Sequence, residues 1–164
     1  MRAVPGQDAG RWGFKVAYYD FDESRTSLIA RLEGRRDKPP ICFSGHLDTV
    51  PLGAESWSKD PFSGEVDGNR VYGRGASDMK SGIAAMVGSA LRLQKNFREK
   101  AGITLVFTAG EETGSQGASY LAGLSQVLGQ CGALVVGEPT SNYPLVGHKG
   151  SLWLEIETTG ITAH

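Results

Sequence analysis

Three apolar runs of this chain, at 41–43, 103–109 and 133–136, each lead into a glycine followed directly by a side chain that can bind a metal ion. The candidate side chains after these runs are His46 with Asp48, Glu111 with Glu112, and Glu138. A further carboxylate, Asp78, stands just before a predicted helix. Because the carboxyl ends of parallel strands meet at one edge of a sheet, we expect these side chains to converge there.

Each of these residues, taken alone, has an ordinary structural explanation. His46 could be a hydrogen-bonded histidine, the Glu111–Glu112 pair a solvated turn, Asp78 a helix N-cap and Glu138 a loop residue. Their shared position, after separate strands and next to glycine, favours a metal site instead. One imidazole among carboxylates is typical of zinc, with cobalt or manganese as alternative occupants.

The local spacing predicts different duties for neighbouring side chains. His46 and Asp48 are two residues apart in an extended segment and point to the same side, so Asp48 can hold the second ring nitrogen of His46. Glu111 and Glu112 are adjacent and point apart. One of them can therefore bind a metal ion while the other faces the attacking water, and the spacing leaves open which does which.

Hydrophobic periodicity predicts the elements that position these residues. The order strand, helix, strand, helix, strand after residue 40 is typical of an α/β domain with a largely parallel sheet and flanking helices. The predicted strands are 14–19, 27–32, 41–43, 103–109 and 133–136, with a hairpin at 64–72 and helices around 83–91 and 120–128. After Gly150, the alternation of Leu152, Leu154 and Ile156 predicts a half-exposed strand that starts another domain.

Composition limits the classes of function. The 164 residues have a formal net charge of -1 and no basic run, so we expect neither a nucleic-acid nor a membrane partner. The first twenty residues have no apolar signal-peptide core. Cys42 and Cys131 lie in apolar surroundings and are predicted to be buried thiols, consistent with a reducing, cytoplasmic compartment.

Four segments in order resemble the motifs of the M20 family of metal-dependent aminoacylases, deacetylases and carboxypeptidases. They are 44–51 (SGHLDTVP), 73–82 (GRGASDMKSG), 110–115 (GEETGS) and 137–140 (GEPT). The resemblance covers nearly the whole chain. It is strongest for the branch of acetylornithine deacetylase and succinyl-diaminopimelate desuccinylase.

The resemblance implies a role for each motif residue. Four side chains would bind two zinc ions, with Asp78 bridging both ions, His46 and Glu138 on the first and Glu112 on the second. Glu111 would be the general base, and Asp48 would orient the imidazole. A cis peptide bond between Asp78 and Met79 is also implied.

The resemblance further implies that the chain is an incomplete catalytic domain, 1–149, followed by the start of a lid or dimerisation domain, 150–164. The family's late histidine ligand has no match here, and His164 matches a lid residue near the substrate carbonyl; His148 is interpreted as structural. The expected reaction is two-metal hydrolysis of an N-acyl amino acid or small peptide by a homodimeric parent, with this chain itself inactive. The alternatives are a di- or tripeptidase of the same family and a non-catalytic remnant that binds one metal ion.

Overall fold

The computed structural model describes residues 12–93, 100–150, 152 and 154–161. Its main sheet has five strands: β1 (Lys15–Asp22), β2 (Arg25–Leu32), β3 (Ile41–His46), β6 (Ile103–Thr108) and β7 (Ala133–Val136). A small hairpin pairs β4 (Val66–Asp67) with β5 (Arg70–Val71), and the helices are α1 (Ser81–Leu93) and α2 (Gln116–Gly123). Within the described ranges, neither helix has the length and apolar composition needed to span a bilayer.

The sheet is mixed, with strand order β1-β2-β6-β3-β7. β3 pairs in parallel with β6 and β7, whereas β1, β2 and β6 pair antiparallel. The predicted parallel pairing therefore holds for the three strands that lead into candidate residues. Their register places His46 opposite Thr108, so β3 and β6 end side by side.

Strand β6 lies at the centre of the core. All six of its residues are buried, which explains why its sequence is a continuous apolar run and does not alternate. One face, with Leu105 and Phe107, packs with Met86 and Ala90 of α1. On the other face, Val106 packs in a second cluster of the core that is completed by Ile29, Cys42 and Leu121 of α2. The two helices thus cover opposite faces of the sheet.

The second helix begins and ends earlier in the chain than its apolar spacing predicted, at Gln116–Gly123 instead of around 120–128. It ends at Gly123, and Leu124 is already extended, with φ -85° and ψ 117°. Gln126 then takes a positive φ of 62°. Leu124 and Val127 still pack against the core, because a non-helical segment can bring side chains to the same face that a helix would have presented.

Two further sequence predictions differ from the structure. Cys42 is buried as predicted, but Cys131 is exposed, since it comes before the edge strand β7 and lies outside the core. The predicted strand after Gly150 does not form in the described residues. Leu154 and Ile156 there are 78% and 87% exposed and lack a ladder partner, which a strand requires. The division into 1–149 and 150–164 stays a prediction.

The buried cluster under α2 yields a stability prediction. We expect Ile29→Ala to lower the free energy of unfolding by about 2–5 kcal/mol, because this fully buried side chain would leave a cavity between β2 and α2. The matched control is Ile156→Ala, which removes the same atoms from an exposed site and should change the free energy of unfolding by less than about 0.5 kcal/mol. Urea unfolding followed by circular dichroism measures both, and equal losses would contradict the core assignment.

Candidate metal centre

His46 ends β3 with its ring almost completely buried, at 2% exposure. Its Nδ1 lies 3.0 Å from the backbone carbonyl oxygen of Asp48. A carbonyl oxygen can only accept a hydrogen bond, so Nδ1 carries a proton and Nε2 is the ring nitrogen that faces the carboxylates. Nε2 lies 3.0 Å from Oδ1 of Asp78 and 3.9 Å from Oε2 of Glu138.

Asp78 is held in place by its neighbour Met79. The two residues lie in an irregular helical turn, Ala76–Lys80, that leads into α1, and the peptide bond between them is cis, as the resemblance implied. The Met79 side chain is fully buried, and its Sδ accepts a hydrogen bond of 3.1 Å from the backbone N–H of His46. A Cβ at Gly45 would lie 2.5 Å from Cε of Met79, so a larger residue there would require this buried side chain to shift. With Met79 buried under β3, the adjacent Asp78 lies beside the imidazole.

Glu111 and Glu112 follow β6 in a loop whose backbone is fixed by Asp48. The Asp48 carboxylate accepts the N–H of Glu111 on Oδ1 and the N–H of Glu112 on Oδ2, both at 3.1 Å. The loop begins at Gly110, whose φ of +76° favours glycine. A carboxylate oxygen of Glu112 joins a ring nitrogen of His46 and an oxygen of Asp78 in a group whose atoms all lie within 4.8 Å of one another.

This arrangement corrects the predicted contact of Asp48. Its Oδ1 is 3.6 Å from Nδ1 of His46, beyond hydrogen-bond length, and the backbone carbonyl of Asp48 makes that contact instead. The physical reason is that two amides from the loop after β6 compete for the carboxylate and bind both of its oxygens. Asp48 thus links the β3 end to the β6 loop.

The converging side chains fit a divalent metal ion. Zinc binds nitrogen and oxygen ligands at about 2.0–2.2 Å, which puts tetrahedral neighbours roughly 3.3 Å apart. The 3.0 Å between His46 and Asp78 and the 3.9 Å between His46 and Glu138 bracket that value. An imidazole nitrogen facing carboxylates is also the donor set that zinc, cobalt and manganese accept.

Electrostatics favours a cation at the same place. Burial raises the pKa of Glu138, the negative charges of its neighbours raise it further, and His46 lowers it in part; those neighbours are Asp78, Glu111 and Glu112. Burial of the His46 ring opposes protonation, but the hydrogen bond to Asp78 and the other nearby acceptors outweigh it and raise the pKa of His46. A metal ion would replace the proton and balance these carboxylates.

The remaining histidines of the sequence lie apart from this group or outside the described residues. His148 is exposed, and its Nδ1 hydrogen-bonds the adjacent carbonyl of Lys149 at 2.9 Å. His164, the predicted substrate-binding residue, lies outside the described residues. The sequence did not predict that Met79 anchors Asp78. Met79 lies inside a motif, but it is buried by the packing of β3 against the turn, which only the tertiary structure shows.

Comparison with known families identifies the arrangement. The sequence model of peptidase family M20/M25/M40 matches residues 42–150, which contain all the converging side chains. The chain belongs to this family. M20 enzymes are metal-dependent hydrolases that act on amide bonds, and the chain shares their catalytic-domain fold.

Several curated relatives of this M20 chain are succinyl-diaminopimelate desuccinylases. The protein of Parvibaculum lavamentivorans is 36% identical over 162 residues, covering 90% of this chain and 40% of the relative. That of Gluconacetobacter diazotrophicus is 38% identical over 166 residues, covering 93% and 42%. The chain therefore spans about two fifths of the length of these relatives.

Solved structures show the same fold at lower identity. The M20 family metallo-carboxypeptidase Sso-CP2 of Sulfolobus solfataricus superposes with a TM-score of 0.66 at 21% identity, covering 79% of this chain and 29% of that one. Human carnosine dipeptidase 1 superposes with a TM-score of 0.61 at 24% identity, covering 77% and 29%.

The clamp that the Asp48 carboxylate forms on the N–H groups of Glu111 and Glu112 gives a pH-dependent prediction for the metal-free protein. Burial opposes ionisation of Asp48, but the amides of Glu111 and Glu112 outweigh it and lower its pKa. A carboxylate whose pKa is lower in the folded than in the unfolded protein stabilises the fold at pH values above its unfolded pKa, which is near 3.9 for aspartate. This stabilisation is lost as the pH falls through the pKa of the folded protein. We expect Asp48→Asn to cost about 2 kcal/mol of unfolding free energy at pH 7. The difference from wild type should shrink as the pH falls through the lowered pKa of Asp48 in the folded protein.

Urea unfolding in the presence of a chelator measures this difference at each pH. The control is Asp67→Asn, which removes an exposed carboxylate 3.6 Å from Lys59 and should have little effect at any pH. A cost that does not shrink as the pH falls through the acid range would show that the Asp48 charge does not hold the loop.

Proposed function

We propose that this chain carries the metal-binding part of a two-metal amidohydrolase that cleaves the amide bond of an N-acyl amino acid, with N-succinyl and N-acetyl amino acids as the substrate class. The observation that carries the proposal is the convergence of carboxylates from three chain segments on the imidazole of His46. Identity of 36–38% to proteins named succinyl-diaminopimelate desuccinylase supports the substrate class.

The proposed ligand set divides the side chains between two ions. His46 and Glu138 hold the first ion, Glu112 holds the second, and Asp78 is shared. The ions are zinc, with cobalt or manganese as substitutes, and when bound they polarise the scissile carbonyl and acidify the attacking water. The grouping of Glu112 with His46 and Asp78 supports Glu112, rather than Glu111, as the ligand of the loop.

Glu111 is the proposed general base. It takes a proton from the attacking water and returns it to the departing amine, so that the carboxylate is regenerated in each turnover. The Asp48 clamp on its backbone keeps its position fixed relative to the imidazole. Asp48 is thus proposed to act through the loop and through the orientation of His46, without touching the substrate.

The rest of the proposed active site comes from residues that the structure does not describe. His46 is the imidazole that the described residues bring to the group, and a second metal ion held by Asp78 and Glu112 needs a further ligand. We propose that His164 contacts the substrate, that the working enzyme is a cytoplasmic homodimer, and that the 164-residue chain alone is inactive. If the chain binds one metal ion and longer proteins that contain it do not hydrolyse these substrates, the non-catalytic alternative is favoured.

Metal binding by the chain itself is the first test. We expect zinc to bind in calorimetric titration at pH 7.5, and Glu138→Gln to weaken its tightest site by more than about tenfold, since a carboxylate ligand becomes a weak neutral one. The matched control is Glu155→Gln, an exposed glutamate remote in sequence from the motifs, which should leave the affinity unchanged. Equal affinity in all three proteins would contradict the proposed site.

The division of labour between the paired glutamates needs a protein that joins this chain to the segment that follows in its desuccinylase relatives. In that protein Glu111→Gln should retain both metal ions and lose about 10²–10⁴-fold in kcat, whereas Glu112→Gln should lose metal. Metal analysis and hydrolysis of N-succinyl amino acids, N-acetyl amino acids and dipeptides measure these effects. The reverse pattern would mean that the two roles are exchanged, and preferred cleavage of dipeptides would favour a peptidase.

A further inference from the structure

Arg25 makes a compact hydrogen-bond network with the loop that carries the paired glutamates. It begins β2 and is half-buried, and its Nη1 donates to Oγ1 of Thr113 at 2.8 Å and to Oε1 of Gln116 at 2.9 Å. The Thr113 hydroxyl in turn donates to Oε1 of Gln116 at 3.0 Å. Each polar group in this triangle is therefore bonded to the other two.

The network also contacts the beginning of the loop. The N–H of Gln116 donates to the carbonyl oxygen of Gly110 at 2.8 Å, which ties the end of the loop to its beginning. A Cβ at Gly110 would lie 3.1 Å from Nη1 of Arg25 and 3.1 Å from Cζ of Phe21. The guanidinium and the phenyl ring thus pack directly against the backbone that precedes Glu111.

The loop is consequently held on two sides. Asp48 binds the N–H groups of Glu111 and Glu112 from β3, and Arg25 binds the side chains that follow them from β2. Arg25 lies outside residues 42–150, the part of the chain that matches the family model. Its contact to the site depends on the antiparallel pairing of β2 with β6, which places Leu28 opposite Phe107 and the start of β2 beside the loop after β6.

We propose that Arg25 is a positioning residue for metal binding: by fixing Thr113 and Gln116 it holds the loop in the conformation that presents Glu112 to the metal centre. The inference rests on the proposed function of the site. Ordering a loop before binding removes an entropic cost that would otherwise reduce metal affinity. The outer groups that orient metal ligands typically change affinity by about 10–100-fold when removed.

The experiment uses the 164-residue chain with zinc and cobalt as probes. We expect Arg25→Ala to weaken zinc binding by about tenfold at the site that includes Glu112, with no change at the site of His46, Asp78 and Glu138, as resolved by calorimetry. The visible absorption of the cobalt-loaded chain, which reports ligand geometry, should change as well. Arg25→Lys keeps a donor and the charge and should restore most of the affinity. The matched control is Arg31→Ala on the same strand, because Arg31 donates to the carbonyl oxygens of Val127 and Leu128, away from the metal centre.

A double-mutant cycle separates positioning from a general loss of structure. If Arg25 acts through Glu112, then Arg25→Ala should have no further effect on zinc affinity in a Glu112→Gln background, where the site of His46, Asp78 and Glu138 remains. Should Arg25→Ala fail to fold, Thr113→Val removes the hydroxyl from the same network and carries the test, with a several-fold loss of affinity expected.

Two results would overturn the inference. One is equal zinc affinity in Arg25→Ala and Arg31→Ala, and the other is an equal loss from Arg25→Ala with or without the Glu112 carboxylate. A wild-type chain that binds no zinc would instead overturn the proposed function, and this inference with it. The two failures are therefore distinguished by the wild-type titration.

Discussion

The buried ring of His46 is the contact on which the metal centre depends. Its Nδ1–H is bonded to the carbonyl of Asp48, which directs Nε2 at Asp78 and Glu138. The backbone N–H of the same residue donates to Met79, which places Asp78. A rotation of this ring would therefore disturb the tautomer and the contacts to both carboxylates at once.

The second constraint is the charge gathered around that ring. Burial and neighbouring carboxylates raise the pKa of Glu138, which shows that the charged form is destabilised when no cation is present. A fold that keeps these groups together without metal does so at the expense of its own stability. Metal binding to the folded chain would recover that free energy, since a ligand that binds only the native state stabilises it.

The mixed sheet explains how separate segments reach one edge. Parallel pairing of β3 with β6 and β7 brings the ends of these strands together, whereas the antiparallel β2 begins beside the loop after β6 and runs away from it. β7 is an edge strand within the described residues, and the side chains of Leu134, Val135 and Val136 on it are exposed. An exposed apolar edge strand is a template for pairing with another strand. The curated relatives have more than half of their length outside the region that they share with this chain.

The sequence alone determined the features that depend on consecutive residues. Apolar runs with following glycines predicted β3, β6 and β7 and the candidate ligands after them, and the period of α1 was evident from Ile83 to Leu91. The tertiary structure alone decided contacts between remote segments. The Asp48 carboxylate binds amides 63 and 64 residues away, and Arg25 reaches Thr113 across 88 residues. No local pattern encodes such pairs, because they depend on strand order and register, and the same limit explains why α2 ends at Gly123 and why the segment after Gly150 forms no strand in the described residues.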